Sequence, residues 1–168
     1  MVISRRGFVR DALGTAAALA GLASADLARA SEATGSEDDY YRQLVKANDA
    51  EISAVIERLK GARERFGVRA VGEAVDALAG AYCAPESSYY KSPDLLPVLE
   101  AAADKLLAAQ NPDGTIDAGN LCSPPDTAFV VQTVCMALTV LQRMNLPQLA
   151  TINSKLAKFV LEAGEAIS

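Results

Sequence analysis

The sequence predicts an all-α protein with about five helices. Three observations carry this expectation. Alanine and leucine dominate, and aromatics make up only 5% of the 168 residues, a balance that favours helix over strand. Apolar residues recur at three- and four-residue spacing in five separate stretches. No stretch alternates apolar and polar residues over the length that a half-buried strand needs.

The first stretch opens at Ser36, a residue suited to capping, with Glu37, Asp38 and Asp39 where the positive end of a helix dipole would lie. Tyr41, Leu44, Val45, Ile52, Val55, Ile56 and Leu59 then share one face, and Gly61 and Gly67 bracket the exit. A second helix is expected from about Val68 to Tyr82, with Val71, Val75, Leu78 and Tyr82 as its stripe. Pro85 and Glu86-Ser87-Ser88 end it, and Tyr89-Tyr90-Lys91 forms a loop with two aromatics. Ser92-Pro93-Asp94 has the pattern of a helix start: cap, proline at the first position, acid in the first turn. The third helix buries Leu95, Leu96, Leu99, Ala102, Ala103, Leu106 and Leu107 and ends near Gln110. A polar loop from Asn111 to Pro125 leads to a fourth helix, from about Asp126 as N-cap to Met144. That helix is apolar on most sides, which marks it as central. Pro147 opens a fifth helix carrying Leu149, Ile152, Leu156, Phe159, Val160 and Ile167. Short connections make antiparallel hairpins the expected arrangement.

The chain begins differently. Ser4-Arg5-Arg6-Gly7-Phe8-Val9-Arg10 is followed by an Ala/Leu/Gly tract from Ala12 to Leu22, and then by Ala28-Arg29-Ala30 as an A-x-A cleavage site. This order resembles a twin-arginine export signal, with Arg5, Arg6 and Phe8 as its motif. The resemblance implies recognition by the twin-arginine translocase, cleavage near Ala30 and a periplasmic or secreted product that folds before it crosses the membrane. The apolar tract is shorter than the roughly 20 residues of a membrane span, and no cysteine lies near the cleavage site, so no stable membrane anchor is expected. The domain reading is a signal at 1–30, a polar linker at 31–36 and a helical domain at 37–168.

The net charge is −5. Four arginines and two aspartates lie in the first 30 residues, so the remainder is more acidic still. Acidity of this kind disfavours nucleic acid and anionic membranes as partners. The chain has no histidine, which excludes Ser-His-Asp and Cys-His catalysis and His-based zinc sites. Its three cysteines are Cys83, Cys122 and Cys135. Cys135 lies in an apolar helical stretch. Cys83 and Cys122 fall at helix–loop junctions, where pairing after export and three small core residues are both open readings.

The loop Gln110-Asn111-Pro112-Asp113-Gly114-Thr115-Ile116-Asp117 is the most informative segment. In a calcium-loop frame, Asn111, Asp113, Gly114, Ile116 and Asp117 fall on the third, fifth, sixth, eighth and ninth positions. Ala109 and Asn120 then stand where the first and the bidentate ligands belong, so no metal is expected. Asp113-Gly114 is also a simple turn pair. A helix ending in Gln, then Asn-Pro-Asp-Gly-Thr, then Ser123-Pro124-Pro125-Asp126-Thr127-Ala128-Phe129 opening a buried helix, resembles the hairpin repeat of α/α-toroid proteins. These include the heparinase-II/III-like polysaccharide lyases and related hydrolases.

The resemblance covers about Leu95 to Leu141 and implies carbohydrate chemistry: an N-terminal portion of an incomplete toroid, or a polysaccharide lyase or glycoside hydrolase if completed. Amides and carboxylates at Asn111, Asp113, Asp117, Asn120 and Asp126 are candidate sugar-hydroxyl partners. Tyr89 and Tyr90 are candidate stacking platforms. Five helices are too few for a full toroid, and the Tyr and His bases of such enzymes usually come from later repeats, so no catalytic residue or cofactor is assigned. A small, non-enzymatic, partner-binding subunit of an exported complex is the other expectation.

Overall fold

The structure, a computed structural model, describes residues 37–60, 67–118 and 121–168. The signal motif at Arg5, Arg6 and Phe8, the cleavage site, the linker, Gly61 and Asn120 lie outside these residues. Five α-helices follow one another: α1 Glu37–Lys60, α2 Val68–Cys83, α3 Leu95–Ala109, α4 Pro124–Met144 and α5 Ala150–Ala166. A 3-10 turn at Pro147–Leu149 precedes the last. Among the described residues the only extended pairing is an isolated bridge between Gln110 and Ile116.

Local chemistry explains most boundaries. Glu37, Asp38 and Asp39 occupy the first turn of α1 and Arg58 and Lys60 its last, matching both ends of the dipole. The α4 start is a correction to the expected one. Ser123, not Asp126, is the N-cap: its Oγ accepts from the Asp126 amide, and its hydroxyl donates to Asp126 Oδ2 at 2.7 Å. Pro124 takes the first turn, where its missing N–H costs nothing, and Asp126 closes a reciprocal capping arrangement. α3 starts later than Ser92-Pro93-Asp94 suggests. Those three residues form a turn whose Ser92 and Pro93 carbonyls accept from the Leu95 and Leu96 amides. No side-chain cap is needed there, because backbone carbonyls already serve the first free amides. At the end of α4, Asn145 takes the left-handed conformation, and Pro147 opens the 3-10 turn rather than α5 itself.

Residue pairs fix how the helices lie. Arg69 in the first turn of α2 meets Asp126 at 3.6 Å and stacks on Phe129 at 4.8 Å, both in the first turns of α4. At the far ends, Gln148 donates to the Tyr82 hydroxyl. α2 and α4 therefore run side by side in the same direction. α3 and α5 do likewise: Lys155 bridges Glu100 and Asp104 at 3.0 and 2.7 Å, and further along Gln110 donates to the Phe159 carbonyl. α1 docks by a bond from Asn48 Nδ2 to the Ala77 carbonyl, and Lys105 donates to the Leu59 carbonyl.

The core lies where α2, α3, α4 and α5 meet, around Val75, Leu78, Leu99, Leu106, Val134, Leu141, Leu156 and Phe159. α2, rather than the longer α4, is the most enclosed helix, with Val71, Gly72, Ala74, Val75, Leu78, Ala79, Gly80, Ala81 and Tyr82 all buried. Its small residues let neighbours come close on several sides. α4 buries Val130, Val134, Ala137 and Leu141 but leaves Phe129 57% exposed. Apolar composition ranks a helix by what it could bury, and the neighbours decide what it does bury. Among the described residues, α4 is the helix long and apolar enough to cross a membrane by length and composition, and it packs on α2 and α5.

Gly72 marks a close approach of α2 to α4. A Cβ there would stand 3.0 Å from both Thr133 Oγ1 and Val130 Cγ1. Gly72→Leu is expected to force α2 off α4 and to lower stability by roughly 2–3 kcal/mol or more, read as a drop in the urea midpoint. An unchanged midpoint would show that the contact is loose.

Candidate functional site

The α3–α4 loop is organised around buried backbone groups that need partners. α3 ends at Ala109, and the chain turns back so that Gln110 pairs with Ile116. The Asn111 amide donates to the Thr115 carbonyl at 2.8 Å and the Gly114 amide to the Asn111 carbonyl at 2.9 Å. Gly114 has φ +86°, and a Cβ on it would overlap the Glu162 carbonyl of α5. Glycine is required twice over, by its dihedral and by the space. Ile116 is fully buried. Its amide donates to Thr127 Oγ1 at 3.0 Å, and that hydroxyl donates to the Ser123 carbonyl at 2.7 Å. The Ser123 amide in turn reaches the Ile116 carbonyl. Thr127 thus ties the loop to the first turn of α4.

The predicted polar residues divide into three groups. Asn111, Asp113 and Asp117 come together. Asn111 Nδ2 donates to Asp117 Oδ1 at 2.9 Å and to Thr115 Oγ1 at 3.2 Å. Asp113 Oδ1 accepts from the Thr115 amide and hydroxyl at 3.0 and 2.6 Å. Asp117 Oδ1 also accepts from the Cys122 amide at 2.8 Å. Asp126 stands apart, committed to Ser123 and Arg69. Tyr89 and Tyr90 are elsewhere. They lie before the start of α3, whereas the Asn/Asp loop lies after its end, and α3 has 15 residues, about 22 Å of helix. Tyr89 is half-buried with its hydroxyl 3.2 Å from Ser53 Oγ, and Lys91 rests over the Tyr90 ring at 4.9 Å. The tyrosines and the carboxylates therefore form no common sugar platform.

These hydrogen bonds set the electrostatics. The Thr115 hydroxyl and amide hold the Asp113 carboxyl below its usual range. The Cys122 amide and the Asn111 side chain do the same for Asp117. Both bonds favour the charged form. Beside the loop lies a cleft of about 490 Å³ against α5, bordered by Asp113, Glu162 and Glu165 with Lys158 as its cation. Its surplus of carboxylates suits a neutral or cationic guest. Among the described residues, no group of three His, Cys, Asp or Glu side chains is placed to hold a metal.

The cysteines do not pair; all three are free thiols. Cys83 ends α2, and Cys122 precedes α4, whose start lies beside the start of α2. The 16 residues of α2 put about 24 Å of helix between the two, against the roughly 4.4–6.8 Å between Cα atoms that a disulfide spans. Burial pushes the Cys83 thiol up to about 12, so it is inert, while Cys122 is exposed.

Three contributors were not foreseen. Gln110 donates to the Gly114 and Phe159 carbonyls at 3.1 Å, while its Oε1 is buried without a partner. Thr127 is the hub just described. Asp49 of α1 accepts from Ser87 Oγ at 2.6 Å and from the Ser88 amide and hydroxyl at 2.7 and 2.8 Å, which holds the α2–α3 loop. The sequence signals were present for two of them: a threonine inside an apolar run, and a glutamine closing a helix. Asp49 had none, because its partners are more than 35 residues away.

Two outcomes follow from this geometry. Gly114→Ala is expected to lift the loop from α5 and cost about 2 kcal/mol or more, measured by chemical denaturation; an unaffected midpoint would mean that the loop carries no strain. Because Asp113 and Asp117 are depressed, their contribution is present above the ordinary carboxylate range near pH 4 and lost as pH falls below it. The Thr115 and Cys122 amide resonances are expected to move together in that acid window, and constant shifts down to pH 2 would refute the assignment. Comparison with protein-family models, with curated proteins and with solved structures finds no match for this chain.

Proposed function

We propose that the chain is an exported, non-catalytic helical module built on the hairpin plan of α/α-toroid carbohydrate-active proteins. The supporting observation is the order of its helices. α2 and α4 lie side by side in one direction, and α3 and α5 lie side by side behind them. α2–α3 and α4–α5 then read as two stacked antiparallel hairpins, the repeat that such proteins multiply. The Gln-Asn-Pro-Asp-Gly-Thr loop joins one hairpin to the next.

The carboxylates favour scaffolding over catalysis. A glycosidase needs one carboxyl raised enough to stay protonated and give up a proton. Asp113 and Asp117 are both lowered and both spend their oxygens on their own loop. In this reading, polysaccharide is the ligand class, met at the acid-rich cleft between the loop and α5.

A second reading is favoured by a separate observation. Leu121 and Phe129, 83% and 57% exposed, flank the start of α4, where a protein partner would bury them. The module would then serve as a partner-binding subunit of an exported complex.

Calorimetry of the chain against neutral and acidic polysaccharides separates the two readings. Heat that is lost in Glu162→Ala supports the sugar reading, and no heat with any glycan removes it. Export is tested independently: replacing Arg5 and Arg6 together by lysine is expected to leave the product in the cytoplasm, as followed by cell fractionation. Unchanged export would overturn the twin-arginine assignment.

A further inference from the structure

Asp76 lies in the middle of α2, the most enclosed helix, and is 5% exposed. It follows Gly72, where α2 comes close to α4, by one helical turn, and shares that side of the helix. Among the described residues it has neither a hydrogen bond nor an ion pair. The carboxyl keeps a sliver of solvent contact, but a charged carboxylate with no protein donor in such a place is still costly, and the ordinary escape is to remain protonated.

The surroundings supply no compensating charge. Between Asp126 and Arg143, α4 carries no charged side chain, and its Cys135 thiol is itself pushed up by burial. From α1, Asn48 reaches α2 with a neutral amide, and the adjacent Asp49 is held by Ser87 and Ser88. From α3, Glu100 and Asp104 turn to Lys155, and Lys105 turns to the Leu59 carbonyl. On α2 itself, Arg69 is occupied by Asp126 and Phe129, and Glu73 is exposed.

We propose that Asp76 is a pH-responsive element built into the α2–α4 contact, which is tight while the carboxyl is protonated and loosens when it ionises. Burial raises Asp76 from 3.8 to about 7, in keeping with this. The folded value exceeds the unfolded one, so the contact is fully supported below about pH 4. Support declines as pH rises toward 7 and falls no further above it. The helical module would hold together best in mildly acidic surroundings.

The test uses the full chain. Carboxyl carbon NMR of Asp76 is expected to titrate with a midpoint near 7, whereas a midpoint near the ordinary value of about 4 overturns the proposal. In parallel, the urea midpoint of the native chain is expected to fall between pH 5 and pH 8. Asp76→Asn, which keeps the shape without the charge, is expected to flatten that slope. A variant with the same slope as the native chain would also overturn it. If the variant does not fold, the NMR midpoint alone decides.

Discussion

The contact of α2 with α4 at Gly72 is the constraint on which the rest of the molecule depends. Two helices running in the same direction cannot be joined by a short turn. The chain must leave the end of α2, return through α3, and cross back before α4 begins. α3 is that return, so its length is tied to that of its neighbours. The polar loop after α3 is the second half of the crossing. Its buried bonds, from Ile116 to Thr127 and from Gln110 to Phe159, keep a connection without regular structure from leaving backbone groups unpaired in the interior. Small residues along α2 permit the close approach, and the loop makes it topologically attainable.

Much of the scaffold was legible because it is local. Five apolar stripes gave five helices within a few residues, and the acids that open α1 and the prolines that open α4 marked their starts. The α4 cap was misplaced because Ser123 and Asp126 both suit an N-cap, and the choice rests on the two prolines between them. The ranking of α2 and α4 was reversed for a different reason. The spread of apolar residues around a helix reports which sides could be buried, whereas enclosure depends on which neighbours reach it. Alanines and glycines, which look undistinguished in sequence, decide that.

The candidate site was legible only in part. Asn111, Asp113 and Asp117 form one cluster because they belong to one turn, where sequence proximity is spatial proximity. Tyr89 and Tyr90 were grouped with them on chemistry alone, and the length of α3 separates them. Cys83 and Cys122 failed as a pair through the same kind of distance: both lie at helix ends, but at opposite ends of the molecule. Chemistry proposes partners, and helix direction decides which of them can meet.

Gly114 has a consequence for how such a chain can diverge. Its seat on the Glu162 carbonyl links the loop to α5 at one fixed point, and Gln110 fixes the loop a second time through Phe159. The stretch from Gln110 to Gly114 therefore has a set length, and an insertion there would have to unseat both contacts. Past Asp117 the chain is tied again, by the Cys122 amide to the Asp117 carboxylate and by the Ser123 amide to the Ile116 carbonyl. Divergence of this loop by substitution is therefore easier than divergence by length.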